Sequence, residues 1–253
     1  NTGKIGGFLG YTIEYPIGSG HQQLDGVAPL VITRITDRQG VRHACCESAY
    51  GQSPSDKSPD GTPWIYEPLP GFCNENQLEA AVSDDPYTWP DSWPDKMGDL
   101  YDPGWPGRWN GYFGKGVKNA DLETYFVIDD NPDIEFDYQP DADDPLRHGL
   151  GTQMYIRGLQ WNNVLTESHN FWIYEIENEG TTDYDSVYFA LFADFKIGGE
   201  DEDVAGYNAT LDIAYCYDFD NTGFPGAYKP VVALCWAYLE SPTSGYDGRD
   251  NDE

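Results

Sequence analysis

Residues 187–197, VYFALFADFKI, decide the fold: Val187, Phe189, Leu191, Ala193, Phe195 and Ile197 share one side of an extended chain. Asp194 and Lys196 fall on the other side, so the segment reads as a strand with one face turned to a core. Working outward, 208–220 (NATLDIAYCYDFD) aligns Leu211, Ile213, Tyr215, Tyr217 and Phe219, with Asp212 and Asp218 opposite. KPVVALCWAYLES at 229–241 is a further strand. Upstream, NFWIYEIENEG (170–180) puts Trp172, Tyr174 and Ile176 on one face, and GTQMYIRGLQWN (151–162) and LETYFVIDD (122–130) precede it. Near the start, FLGYTIEYP (8–16) and then PLVITRI and VRHACCESAY, around the turn TDRQG, read as strands. No amphipathic helix separates these runs, as a parallel α/β sheet would require. The expectation is an all-β protein, an antiparallel β-sandwich.

Residues 51–120 break the pattern. SPSDKSPDG, PLPG, DDPYTWPDSWPD and YDPGWPGRWNGYFGKG repeat Pro, Gly, Asp and Trp with weak periodicity. A flexible linker has no use for Trp64, Trp89, Trp93, Trp105 and Trp109, so this reads as a long irregular Trp/Pro/Gly-rich excursion pinned to the sheet by its indoles. A glycan-stacking row of Trp93, Trp105 and Trp109 is the sharper alternative. The expected organisation is N-terminal strands plus the ordered loop region over 1–120, a β-sandwich over 121–246 sharing one core with 1–50, and an Asp-rich truncated tail over 247–253. Asn1 at the start suggests a processed chain.

Forty-four Asp and Glu face fourteen Lys and Arg in 253 residues, a formal charge of -30. A compact chain with this balance repels itself unless ions screen it or carboxylates hold cations. The same field disfavours nucleic acid and anionic membranes as partners. No apolar run approaches the length of a membrane-spanning helix, so membrane insertion is not expected.

Calcium takes six to eight oxygen ligands, so carboxylates crowded on turns are the pattern to seek. Asp218, Asp220 and Thr222 offer oxygens at alternate positions before Gly223, like the opening of a calcium loop, but Lys229 stands where an EF-hand has its closing Glu. Glu202 and Asp203, within the acidic run 200–203, follow Gly198-Gly199, and Asp194 or Asp212 could complete a site with them. Asp129, Asn131 and Asp133 alternate through a turn interrupted by Pro132. Asp247 and Asp250 surround Gly248 near the end. Calcium is the cofactor these groups lead us to expect, and each also reads as a solvated acidic turn.

Catalytic patterns are missing. No GxSxG, HExxH or phosphate-loop ending occurs, and no carboxyl pair stands out from the crowd as a glycosidase pair would. The chain is therefore not expected to be an enzyme. Cysteines lie at 45, 46, 73, 216 and 235, and Cys216 and Cys235 read either as a bridge or as small core residues.

Five segments carry a resemblance: EYPIGSGHQQLDG, WPGRWNGYFGKGVKNADLETYFVIDD, FWIYEIENEGTTDYDSVYFALFADFKIGG, GYNATLDIAYCYDFDNTG and YLESPTSGYDGRDND. In this order they resemble secreted multidomain proteins of Bacteroidetes and related bacteria, which are mostly uncharacterised. The resemblance implies β-sandwich modules, an extracellular or cell-surface location, and Asp-rich turns of calcium-supported type, at Asp194, Asp203, Asp218, Asp220, Asp247 and Asp250. The function expected on these grounds is a calcium-stabilised structural or surface-assembly protein, a filament or cell-surface subunit. Its partners would be other copies or another surface protein. A glycan-binding module and a secreted hydrolase with paired carboxylates are the alternatives.

Overall fold

The computed structural model describes residues 5, 13–51, 56–69, 80–90, 93, 107–199, 202–224 and 226–241. Among them the only helix is the 3-10 turn Pro86–Thr88, and everything else regular is strand. In chain order the strands are β1 (Ile13–Glu14), β2 (Gln22–Thr36), β3 (Arg42–Ser48), β4 (Glu67–Pro68), β5 (Ala81–Val82), β6 (Asn110–Gly111) and β7 (Gly114–Lys115). There follow β8 (Leu122–Asp129), β9 (Thr152–Gln160), β10 (Phe171–Asn178), β11 (Val187–Phe195), β12 (Asp203–Asn208), β13 (Ile213–Asp218) and β14 (Ala233–Ala237). The pairs β2–β3, β8–β9, β9–β10, β12–β13 and β13–β14 are antiparallel, and the strands form several sheets, so the protein is all-β.

The chain divides into two compact units, one built on 28–192 and the other on 5–27 with 193–253. In the first, β2 pairs with β3, and β10, β9, β8 and β4 form a second sheet with β5 also against β8. Ala28, Val31, Ile35, Cys45 and Ala49 from the first sheet meet Phe126, Ile128, Met154 and Ile156 from the second, with Tyr66 and Leu150, in one apolar core. Strand alternation then turns Tyr125 and Val127 to the opposite side of β8. There they pack with Ala81, Trp93 and Trp109, flanked by Trp89, Leu69 and Tyr155. Strand β8 is therefore buried on both faces, and the tryptophans of the excursion supply the second cover. Trp93 and Trp109 present no ring face to solvent, which speaks against the alternative of a stacking row; Trp105 lies outside the described residues.

The second unit is organised on the sheet β12-β13-β14. One strand here is not announced by the sequence: DVAGYN, 203–208, which begins on the last residue of the acidic run 200–203, pairs along β13 from Asp203↔Asp218 to Asn208↔Ile213. Correspondingly, the strand expected across 208–220 shortens to 213–218. Asn208 Oδ1 accepts the Thr210 and Leu211 N–H groups, and Asp212 takes a left-handed φ of 50°, so turn chemistry overrides the apolar alternation at Leu211.

Register also decides the Cys216–Cys235 question. Tyr215 stands opposite Cys235 and Cys216 opposite Leu234, so the two thiols point to opposite faces and both are free. Cys45 and Cys216 are buried, Cys46 and Cys235 exposed, and burial pushes the Cys216 thiol up to about 11. Alkylation of the native chain should therefore label Cys46 and Cys235 and reach Cys45 and Cys216 only after unfolding. A disulfide-linked 216–235 peptide in a non-reducing digest is the contrary result.

Candidate metal centres

Two groups of carboxylates converge, one in each unit. The first begins on β3, where alternation turns Cys45 and Glu47 inward and Ala44 and Cys46 outward. Glu47 stands opposite Val31, in a row otherwise suited to apolar side chains. Its companions come from the loop after β8. Asp133 N–H donates to the Asp130 carbonyl at 2.9 Å, and its own carbonyl accepts from Gly149 N–H at 3.1 Å, which folds the loop back against the sheet. Asp133 Oδ1 accepts the Glu135 N–H at 2.9 Å, so the two acids are held on one tight turn. Glu47, Asp133 and Glu135 each bring an oxygen within 4.8 Å of the others.

The electrostatics follow from that crowding. Burial pushes the Glu47 carboxyl well above the carboxylate range, and the charges of Asp133 and Asp130 push it further. Burial likewise raises Asp133, partly offset by the Glu135 N–H it accepts. Glu135 rises to about 7 through burial and then through Asp133 and Asp56. Like charges in such a space cannot all ionise without a counter-ion.

The remaining residues expected on that turn have other duties. Asp129 Oδ1 accepts Asn131 N–H at 2.6 Å and Arg147 Nη2 at 3.2 Å, and its Oδ2 accepts Gln153 Nε2 at 3.2 Å. Asn131 Oδ1 caps the His148 N–H at 3.1 Å. Thus Asp133 joins the converging group, while Asp129 and Asn131 hold the loop in shape. Glu47 was not among the expected ligands. Its signal was available as an acid on the inward, apolar side of a strand, but nothing local to it names Asp133 as its neighbour.

The second group gathers Glu202, Asp218 and Asp220. The β12–β13 pairing sets Asp203 opposite Asp218, so two runs that are separate in sequence lie side by side. Phe219 N–H donates to the Glu202 carbonyl at 3.0 Å, and Thr222 N–H to Asp218 Oδ1 at 3.0 Å. Gly198 lets the chain pass there: at φ 73° a Cβ would come within 2.7 Å of Asp218 Oδ2. Asp203 accepts the Ile197 N–H at 3.3 Å, and burial and the Asp218 charge raise its carboxyl. Asp212 sits in the turn beyond the Asn208↔Ile213 rung, which is itself five rungs from the Asp203↔Asp218 pair, with Tyr207 Oη donating to it. Asp194 lies within β11 and is not in either converging group among the described residues. Asp247 and Asp250 lie outside the described residues.

Both groups can chelate a divalent ion: hard oxygen donors, negative charge and convergence from two chain segments are what such ions select. A depression of about 190 Å³ on the first unit, lined by Asp121, Leu122, Gln160, Trp161, Asn162 and Glu167, involves neither group. No helix among the described residues is long and apolar enough to cross a membrane. No protein-family model, curated protein or solved structure matches this chain.

Proposed function

We propose that this chain is a sandwich-like, calcium-stabilised structural protein of the extracellular space or cell surface, working in assembly with further copies or another surface protein. The observation that carries the reading is the repetition of one device: in each compact unit, carboxylates from two separate segments converge. A cation at either place joins a strand to a loop or a hairpin to its continuation, and it neutralises part of the -30 charge. Calcium suits all-oxygen sites of irregular geometry. The resemblance to secreted Bacteroidetes proteins with Asp-rich turns points the same way.

Assembly draws support from β11, which among the described residues ends its sheet and leaves Val187, Tyr188 and Phe189 exposed, Tyr188 by 66%. Aromatic side chains at a strand edge give apolar contact area at low entropic cost. The test of the whole reading is a melt of the chelated chain, repeated with calcium, magnesium and ionic-strength-matched sodium chloride. Calcium at a hundred times its dissociation constant should stabilise the chain by about 2.7 kcal/mol per site. Equal rises in every matched salt would instead mean charge screening and end the calcium reading.

A further inference from the structure

We propose that Glu47, Asp133 and Glu135 form an internal calcium site that fastens β3 to the loop after β8, with Glu47 as its buried anchor. This rests on the calcium-stabilised reading above and gives it a definite place. The spacing is right in scale: oxygens bound to one calcium at 2.3–2.6 Å lie at most about 5 Å apart, and these three groups bring oxygens within 4.8 Å of one another.

The independent observation is Glu47 itself. Its side chain is 1% exposed, and both carboxyl oxygens are buried with no donor reaching them. Its close neighbour is the Asp133 carboxyl, within hydrogen-bonding reach, so with no N–H or hydroxyl donor present the two acids are held together by a shared proton or by a cation. Two other buried acids of the same unit are fully satisfied. Glu123, equally buried on β8, accepts from Trp109 Nε1 at 2.6 Å and from the N–H groups of Asn119 and Ala120. Asp130 accepts from Leu150 N–H, Thr152 N–H, Thr152 Oγ1 and Arg147 Nη2. Buried polar groups in native proteins are almost always paired. Glu47 therefore lacks something, and the two acids turned toward it identify the missing partner as a cation.

The geometry also sets the route and the selectivity. Glu135 is exposed while Glu47 and Asp133 are buried, so the ion enters past Glu135 and water completes its shell on that side. Glu47 lies too deep to be reached through a retained hydration shell. Magnesium gives up its waters reluctantly and calcium does not, so calcium is the ion selected.

The experiment is a calorimetric titration of the chelated full chain with calcium chloride and, separately, magnesium chloride, on the parent protein, Glu47→Gln, Glu135→Gln and Asp220→Asn. Glu47→Gln preserves side-chain size and removes the charge. Glu135→Gln is a surface change that leaves folding intact. Both should weaken one calcium site by on the order of tenfold to a hundredfold, while Asp220→Asn leaves that site unchanged and magnesium fails to fill it. Without calcium, Glu47→Gln should melt at or above the parent; with calcium, below it. Parent-like calcium affinity and stoichiometry in both Glu variants would overturn the site while leaving the wider reading standing. A parent chain that takes up no calcium overturns both.

Discussion

Asp130→Ala should destabilise the first unit by about 2–6 kcal/mol, the cost of leaving two buried backbone N–H groups without an acceptor at about 1–3 kcal/mol each. Asp130 is fully buried at the end of β8 and organises the loop that follows. One oxygen accepts Leu150 N–H at 2.9 Å and Thr152 Oγ1 at 2.7 Å, and the other accepts Arg147 Nη2 at 3.1 Å. Thr152 N–H is shared between the two at 3.0 Å. Alanine would leave two backbone N–H groups and a largely buried guanidinium short of an acceptor. The chain also fits tightly around this residue: at Gly149, with φ 62°, a Cβ would lie 2.5 Å from the Asp130 carbonyl oxygen. Urea denaturation is the measurement, and a loss below about 1 kcal/mol, the range of a single net hydrogen bond, would show that the loop finds other donors and acceptors.

The same carboxyl predicts a pH effect with a definite sign. Burial lifts it from 3.8 to about 7 despite its donors. Between those values the native chain keeps a proton that the unfolded chain has released. This contribution is full below the unfolded pKa and is lost as pH rises through about 7. Asp130→Asn, which cannot titrate, should therefore lose less stability than the parent between about pH 5 and pH 8.

How far the sequence carried depended on whether the deciding interactions were local. Alternation in 187–197 and 171–178 announced β11 and β10, because period-two patterning is written within a few residues, and LETYFVIDD (122–130) read as the strand that is β8. It did not distinguish a strand covered on one side from one covered on two: β8 is apolar on both faces because the tryptophan excursion packs behind it, a contact between distant segments. Nor did it find β12, whose Ala205-Gly206 centre has little strand propensity and is held by pairing to β13, with Gly206 beneath the Tyr215 ring. The acidic sites divide in the same way. Asp218 and Asp220 were legible as a turn with oxygens at alternate positions, and Asp133 as part of an acidic loop. Glu202 was grouped with Asp194 or Asp212, while the hairpin register sets its carboxylate beside Asp218 and Asp220. Glu47 was legible only as an acid on the inward side of β3, since an isolated acid in RHACCES gains carboxylate neighbours only when a loop from far along the chain folds over it.

The tryptophan layer gives the second large effect. Trp93→Ala should cost about 3–5 kcal/mol, as large-to-small changes of a buried aromatic do. Trp93 is 1% exposed and lies 5.5 Å from Trp109 and 5.6 Å from Tyr125, centroid to centroid, with Trp89 at 6.2 Å. It is thus the central ring of the cluster that closes the outer face of β8. Removing it opens a cavity that neighbouring rings can fill only by leaving their own contacts. Trp109 is restrained further because its indole N–H donates to the buried Glu123 carboxyl at 2.6 Å, so collapse toward the hole would cost Glu123 one of its three donors. Trp93→Phe separates packing from polarity. The Trp93 indole N–H is buried with no acceptor, so phenylalanine removes an unsatisfied donor while keeping an aromatic ring in the site. Its expected loss is less than half that of alanine. Equal losses in the two variants would mean that the site depends on the full indole outline, and near-zero loss in both would mean that the excursion merely lies on the sheet without stabilising it.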